Sequence, residues 1–247
     1  MHRFFAPSLD PGDDTVALPR DEAEHLTRVL RLSTGDTVAV FDGRGHEYRA
    51  QVATISGRRD VRVQLHGRVE PVAEPAVPLT IVQAILKADK MDDIVRDAVM
   101  LGAAAVHPIV STRTEATVAA VVKGSRLDRW RRIALASVKQ SGRATLPEIR
   151  LPLRFEDFLD EPAASMRVML VEPGAAVDAE PMAALRGAPV PADAAVLIGP
   201  EGGWTGEECA TAASHGVRLL TLGHRTLRAD AVPVAAISVL QFLWNDL

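Results

Sequence analysis

Residues 194–208 read AAVLIGPEGGWTGEE, and the reading of this stretch decides the fold. A short apolar run, Ala194 to Ile198, feeds a turn of Gly199, Pro200, Glu201, Gly202 and Gly203. Thr205 and Glu208 then make a capping box, which predicts that a helix starts there. Strand, glycine turn and helix in this order are how nucleotide-binding folds hold phosphates. Yet the turn has no lysine, and it sets a carboxylate, Glu201, where a phosphate would have to lie. It fits neither Gly-x-x-x-x-Gly-Lys nor Gly-x-Gly-x-x-Gly, which disfavours P-loop and Rossmann enzymes. The charge points instead to a neutral or partly cationic ligand.

The sequence around this stretch alternates strands with helices from Leu79 onward. LTIVQAIL, AVHPIV, RVMLV (Arg167 to Val171) and VRLLTL (Val217 to Leu222) are short apolar runs without polar alternation, as expected of strands buried on both faces of a parallel sheet. Between them, Met91, Ile94, Val95, Ala98 and Leu101 fall at helical spacing, with Gly102 as the stop. This half is expected to be α/β. Residues 1–72 differ. GDTVAVFDGRGHEYRAQVATI alternates on both sides of a turn at Asp42 to Gly45, as a hairpin does, and Val61, Val63 and Leu65 continue the pattern. One helical piece places Ala23, Leu26, Val29 and Leu30 on a single face. A small barrel or sandwich fits. EPVAEPAVPL (Glu70 to Leu79), with three prolines, is the linker, so domains are expected at 1–72 and 73–247.

Composition narrows the class. A chain of 247 residues, 47% hydrophobic and 24% charged, is long enough for two globular cores. One cysteine, Cys209, excludes an internal disulfide, and the seven histidines show no metal-ligand spacing, so no metal is expected. MHRFFAPSLD lacks the apolar run of a signal peptide, and AVPVAAISVLQFLW is too short to span a bilayer, so a cytoplasmic enzyme is expected. The net charge of -4 hides a local excess: Lys123, Arg126, Arg129, Arg131, Arg132, Lys139, Arg143 and Arg150 face only Asp128 and Glu148. This is either a phosphate-binding strip or a solvated helix face.

Ligands in parallel sheets bind beyond the carboxyl ends of the strands. Two such ends carry unusual loops, GPEGG and LGHRTLRAD (Leu222 to Asp230), whose glycines would let main-chain groups approach a ligand with no Cβ in the way. LIGPEGGWTGEE followed by LGHRTLR and a C-terminal apolar helix resembles the SPOUT methyltransferases. Within them the chain is similar to the RsmE family, which methylates N3 of a uridine in small-subunit (16S) ribosomal RNA. MHRFF, HLTRVLRLSTGD, VFDGRG, KADKMDDIVRDAVMLGAAAVHPI and RWRRIALASVKQSGRATLPEI extend the resemblance over almost the whole chain.

The resemblance implies a PUA-like β-barrel domain that binds RNA, followed by a trefoil-knotted SPOUT domain that binds S-adenosylmethionine and works as a homodimer on ribosomal RNA. A cationic sulfonium without phosphate would suit a glycine turn that carries a carboxylate. Main-chain groups of Gly199, Leu222 and Leu227, with Val171 and Glu172 nearby, are implied to hold the cofactor, flanked by Pro200, Glu201, Gly202 and Gly223. RNA contacts are implied for Arg129, Arg132, Lys139, Gln140, Arg143 and Arg225. Where relatives read Leu-Arg-Thr-Glu-Thr-Ala, this chain reads Leu227-Arg228-Ala229-Asp230-Ala231-Val232. Arg228 is the candidate to stabilise charge on the uracil oxygens, and Asp230 the candidate proton acceptor. Two bland roles compete with these: Arg228 as a phosphate ligand and Asp230 as a cap of the last helix. Two other readings of the chain stay open: a SPOUT-fold RNA-binding protein without catalysis, and a ribose 2′-O-methyltransferase.

Overall fold

Alternating apolar residues near the N-terminus form a five-stranded sheet in the computed structural model, which describes residues 1–175 and 177–246. Its strands are β1 (Arg3–Phe5), β2 (Thr15–Ala17), β3 (Thr37–Phe41), β4 (Glu47–Ile55) and β5 (Val61–Val69), in the order β1-β3-β4-β5-β2. The hairpin between β3 and β4 is set by its turn chemistry. The Asp42 carboxylate accepts the backbone N–H of Arg44 at 2.7 Å and of His46 at 3.1 Å, while Gly43 and Gly45 take φ of 77° and 96°. Phe4, Val38, Val40, Ala50, Val52, Val61 and Val63 fill the core beneath the sheet.

The helical piece departs from its expected regularity. It runs as α1 (Arg20–Glu24) and then a π-helical turn (His25–Val29), closed by Leu30 N–H donating to the His25 carbonyl at 3.1 Å. A π turn puts one more residue into the cylinder and rotates the succeeding side chains away from the apolar face. Ala23 and Leu26 are buried as expected, but Val29 is 66% exposed.

The second sheet is wholly parallel. Its strands are β6 (Leu79–Ala84), β7 (Ala105–Val110), β8 (Glu148–Ile149), β9 (Leu153–Arg154), β10 (Met166–Val171), β11 (Glu180–Pro181), β12 (Ala194–Ile198) and β13 (Arg218–Thr221). They order as β11-β13-β10-β12-β6-β7-β8, with β9 also pairing with β7. β12, from the decisive stretch, is buried along its whole length between β10 and β6. Helices α2 (Lys90–Met100), α3 (Val118–Lys123), α4 (Arg126–Ser141), α5 (Phe155–Leu159), α6 (Gly206–Ser214) and α7 (Val232–Leu243) connect and follow the strands. Met91, Ile94, Val95 and Ala98 of α2 are buried, and Gly102 ends it at φ 92°.

The chain divides into two compact units, Met1–Glu74 with Val138–Leu146, and Pro75–Ser137 with Pro147–Leu247. A boundary at residue 72 leaves out the inserted segment 138–146, which the first unit holds by long-range contacts. The Arg3 guanidinium donates to the carbonyls of Val138 (2.9 Å), Lys139 (3.2 Å) and Arg143 (2.7 Å), and it pairs with Glu47. These are carbonyls at and just beyond the end of α4, where a helix has no partners of its own to offer them.

Candidate functional site

Parallel pairing in register brings three strand ends together. Leu170 aligns with Ile198, and Val171 with Thr221, so β10, β12 and β13 release Glu172, Gly199 and Leu222 side by side. The loops beyond these ends enclose a cleft of about 220 Å³. Val171, Ile198, Pro200, Trp204, Leu222 and Leu227 give it apolar walls, and Lys90, Glu172, Glu201, Arg225 and Arg228 supply charge.

The turn is fixed from both sides. The Thr205 hydroxyl accepts the Glu208 N–H at 3.1 Å, and the Glu208 carboxylate accepts the Thr205 N–H at 2.8 Å, completing the capping box. The other Glu208 oxygen accepts the Thr112 N–H at 2.8 Å. Arg113 donates to the carbonyls of Gly202 (2.5 Å) and Trp204 (3.3 Å). Trp204 lies against the turn, its indole N–H donating to the Leu170 carbonyl at 3.0 Å and its ring 5.4 Å from that of Phe155.

This packing gives the glycines a second role beside the expected one. A Cβ on Gly199 would meet the Trp204 indole at 3.1 Å, one on Gly202 would meet Arg113 at 3.2 Å, and one on Gly203 would meet Glu172 at 3.2 Å. At these three positions the missing side chain makes room for neighbouring protein, while Gly199 and Gly203 also line the cleft with their main chain. Gly202 and Gly223 do not line the cleft, although Gly223 keeps a turn conformation at φ 80°. Gly199→Val should therefore weaken cofactor binding by displacing Trp204. Calorimetry with near-ultraviolet circular dichroism checks this: affinity loss with an unchanged tryptophan signal would contradict it.

The electrostatics of the turn also differ from the sequence expectation. The lysine that the turn lacks comes from α2: Lys90 Nζ donates to Glu201 at 2.8 Å, and the Lys87 N–H donates to the same oxygen at 3.1 Å. Burial alone would raise the Glu201 pKa. The Lys90 hydrogen bond, the amides of Glu201 and Lys87 and the Lys90 charge outweigh it and hold the group below the ordinary carboxylate value. Glu201 is thus paired from within the protein. Glu172 is the other carboxylate of the cleft. It lines the cleft and has no ion pair among the described residues.

Arg228 and Asp230 form a two-pronged pair, Nε to one carboxylate oxygen at 3.1 Å and Nη2 to the other at 2.9 Å. The shortened carboxylate of this chain still reaches its arginine. The Arg228 hydrogen bond is the main reason that the Asp230 pKa lies below its usual value. Asp230 does not cap α7, whose N-cap is Ala231 with no side-chain bond. Arg228 lines the cleft and its side chain is 77% exposed.

Of the residues expected to bind RNA, Arg225 lines this cleft. The basic strip is largely neutralised. Arg129 pairs with Asp92 and, at 3.3 Å, with Asp89, and Lys139 pairs with Glu22 at 2.5 Å. Arg143 is 3% exposed and pairs with Glu74 at 3.0 Å through Nε. Arg143 is thus buried and paired, and Lys139 is partly exposed and paired. Arg132 and Gln140 remain exposed. Lys90 and Trp204 line the cleft as well; both lie within stretches that carry the resemblance, but the sequence assigns neither a role. Lys90 has a legible signal all the same, since it opens the helix after β6, the strand next to β12.

Two family models match the chain: an RNA methyltransferase domain over residues 73–241, and an RNA methyltransferase PUA domain over residues 18–65. Ribosomal RNA small subunit methyltransferase E of Synechocystis sp. is 33% identical over 231 residues, covering 93% of this chain and 73% of the relative. The protein of the same name from Neisseria gonorrhoeae, solved bound to S-adenosyl methionine, superposes with a TM-score of 0.85 at 28% identity, covering 99% of this chain and 98% of that one. A Legionella pneumophila protein solved in complex with the bound cofactor SAM gives a TM-score of 0.86 at 26% identity, covering 97% of this chain and 96% of that one.

Proposed function

The chain belongs to the ribosomal RNA small subunit methyltransferase E family, and from that premise we propose that it transfers a methyl group from S-adenosylmethionine to N3 of a uridine in 16S ribosomal RNA. The observation that carries this reading is the cleft between the turn at Gly199–Gly203 and the loop at Leu222–Ala231, which offers both a cofactor seat and an exposed arginine. The residues fit the cofactor. Apolar walls at Val171, Ile198, Leu222 and Leu227 suit an adenine, and the uncompensated Glu172 suits a cation. When bound, S-adenosylmethionine supplies an electrophilic methyl group on a cationic sulfur.

The protein's own part is to manage the uracil. N3 holds an imide proton at neutral pH, and its loss spreads negative charge onto O2 and O4. Arg228, permanently charged and able to donate to two oxygens, stabilises that charge at the cleft wall. Asp230 orients the guanidinium. Both its oxygens are engaged and its pKa is lowered, so it is ionised but a weak base, and the proton passes to water at the open mouth. Mass spectrometry of 16S ribosomal RNA from a deletion strain, before and after treatment with the purified protein, tests the proposal. A missing 3-methyluridine that the protein restores supports it; RNA unchanged by deletion and treatment overturns it.

The same membership supports the trefoil knot and the homodimer. On α7, Ala236, Ile237 and Leu240 are buried, whereas Val234, Val239 and Phe242 are exposed, Phe242 at 68%. Val239 and Phe242 are three residues apart and share a face, which suits an interface between copies. Sedimentation at micromolar concentration should show a dimer that Phe242→Asp dissociates; a stable, active wild-type monomer would contradict it. Among the described residues no helix is long and apolar enough to cross a membrane, and no group of His, Cys, Asp and Glu could hold a metal ion.

A further inference from the structure

A second cleft, of about 190 Å³, shares Glu201 with the first. Lys87, Arg113, Glu115 and Arg126 also line it. Much of its charge cancels, because Lys87 pairs with Glu115 at 2.5 Å and Glu201 is held by Lys90 at 2.8 Å. The guanidiniums of Arg113 and Arg126 are left over. Arg113 is anchored by main-chain carbonyls of Gly202 and Trp204, contacts that fix its fork without neutralising it. Arg126 is exposed, has no ion pair among the described residues, and borders a further cleft of about 170 Å³. In this it differs from Arg129 on the same helix, which two aspartates neutralise. Ala88, in the wall of both smaller clefts, is held at φ 53°, a left-handed conformation that costs energy without glycine.

We propose that this second cleft takes a backbone phosphate of the RNA strand, next to the nucleotide whose base enters the cofactor cleft, with Arg113 and Arg126 as its cationic contacts. The proposal rests on the methyltransferase reading above. Adjacent sites separated by one shared side chain are what a nucleotide requires: the base in one, the phosphate in the other. Guanidinium forks match phosphate oxygens in pairs, and two uncompensated charges favour an anion there. The sequence alone spreads this role over the whole basic strip. Ion pairing removes much of the strip, and of the cations it leaves, Arg126 is the one that lines this cleft.

Arg126 is the residue to change, because Arg113 also supports the turn. Binding of transcribed 16S ribosomal RNA is measured over a salt series without turnover, beside methylation of small ribosomal subunits. Arg126→Gln should weaken RNA binding roughly tenfold at low salt and flatten the salt slope by about one unit. It should raise KM for the subunit while leaving kcat and S-adenosylmethionine affinity unchanged. Arg126→Lys, which keeps the charge, should recover most of the affinity. A wild-type slope and KM in Arg126→Gln would overturn the proposal. So would inorganic phosphate bound by the wild type with RNA affinity indifferent to Arg126, since the cleft would then serve a free anion. If the wild type binds this RNA but methylates neither it nor the small subunit, the methyltransferase reading fails and the salt slope alone decides the phosphate site.

Discussion

Arg228→Ala should lower kcat by roughly a hundred- to a thousandfold, the usual cost of removing one donor from developing negative charge. Arg228 reaches the cleft from the loop after β13 with most of its side chain exposed, so its loss removes charge without opening a cavity. S-adenosylmethionine affinity should change little, because Glu172 and the apolar walls are untouched. Asp230→Asn is the companion variant. It keeps the shape and one acceptor oxygen but loses the charge that aligns the guanidinium, so its defect should be smaller, about tenfold, and confined to kcat. Single-turnover methylation checks both. An Arg228→Ala protein within threefold of the wild-type rate would remove Arg228 from the chemistry, and an Asp230→Asn defect larger than that of Arg228→Ala would return the proton acceptor role to Asp230.

Trp204→Ala should destabilise the second unit by about 3 kcal/mol, near the low end for removing a large aromatic side chain because Trp204 is only partly buried. That corresponds to a Tm lower by roughly 6–12 °C for a unit of this size. The loss has three sources: the hydrogen bond to the Leu170 carbonyl, the contact with Phe155, and the void left beside Gly199. Cofactor affinity should fall with it, since Trp204 is a wall of the cleft. Trp204→Phe refills much of the volume without the N–H donor and should recover part of the stability. Thermal unfolding with and without S-adenosylmethionine separates the two effects. A Trp204→Ala protein that melts and binds as the wild type does would show that the turn holds its shape without the indole.

Local relations along the chain determined a good deal of this protein. β12 is buried on both faces because Ala194 to Ile198 carry no polar residue, and the start of α6 follows from Thr205 and Glu208, three positions apart. The hairpin turn at Asp42 to Gly45 was equally legible, as were the motifs that mark the family and, through it, the cofactor. These features depend on residues within about four positions of each other, where side-chain periodicity and turn chemistry act. Tertiary structure decided the charges. Glu201 stands alone in the sequence, yet it meets Lys90 across 111 positions; Arg143 meets Glu74 across 69, and Lys139 meets Glu22 across 117. It also decided that the glycines of the turn accommodate Trp204, Arg113 and Glu172, and that residues 138–146 belong with the first unit. Whether a charged side chain is free for a ligand depends on which opposite charge lies within a few ångströms, and sequence separation carries no information about that distance.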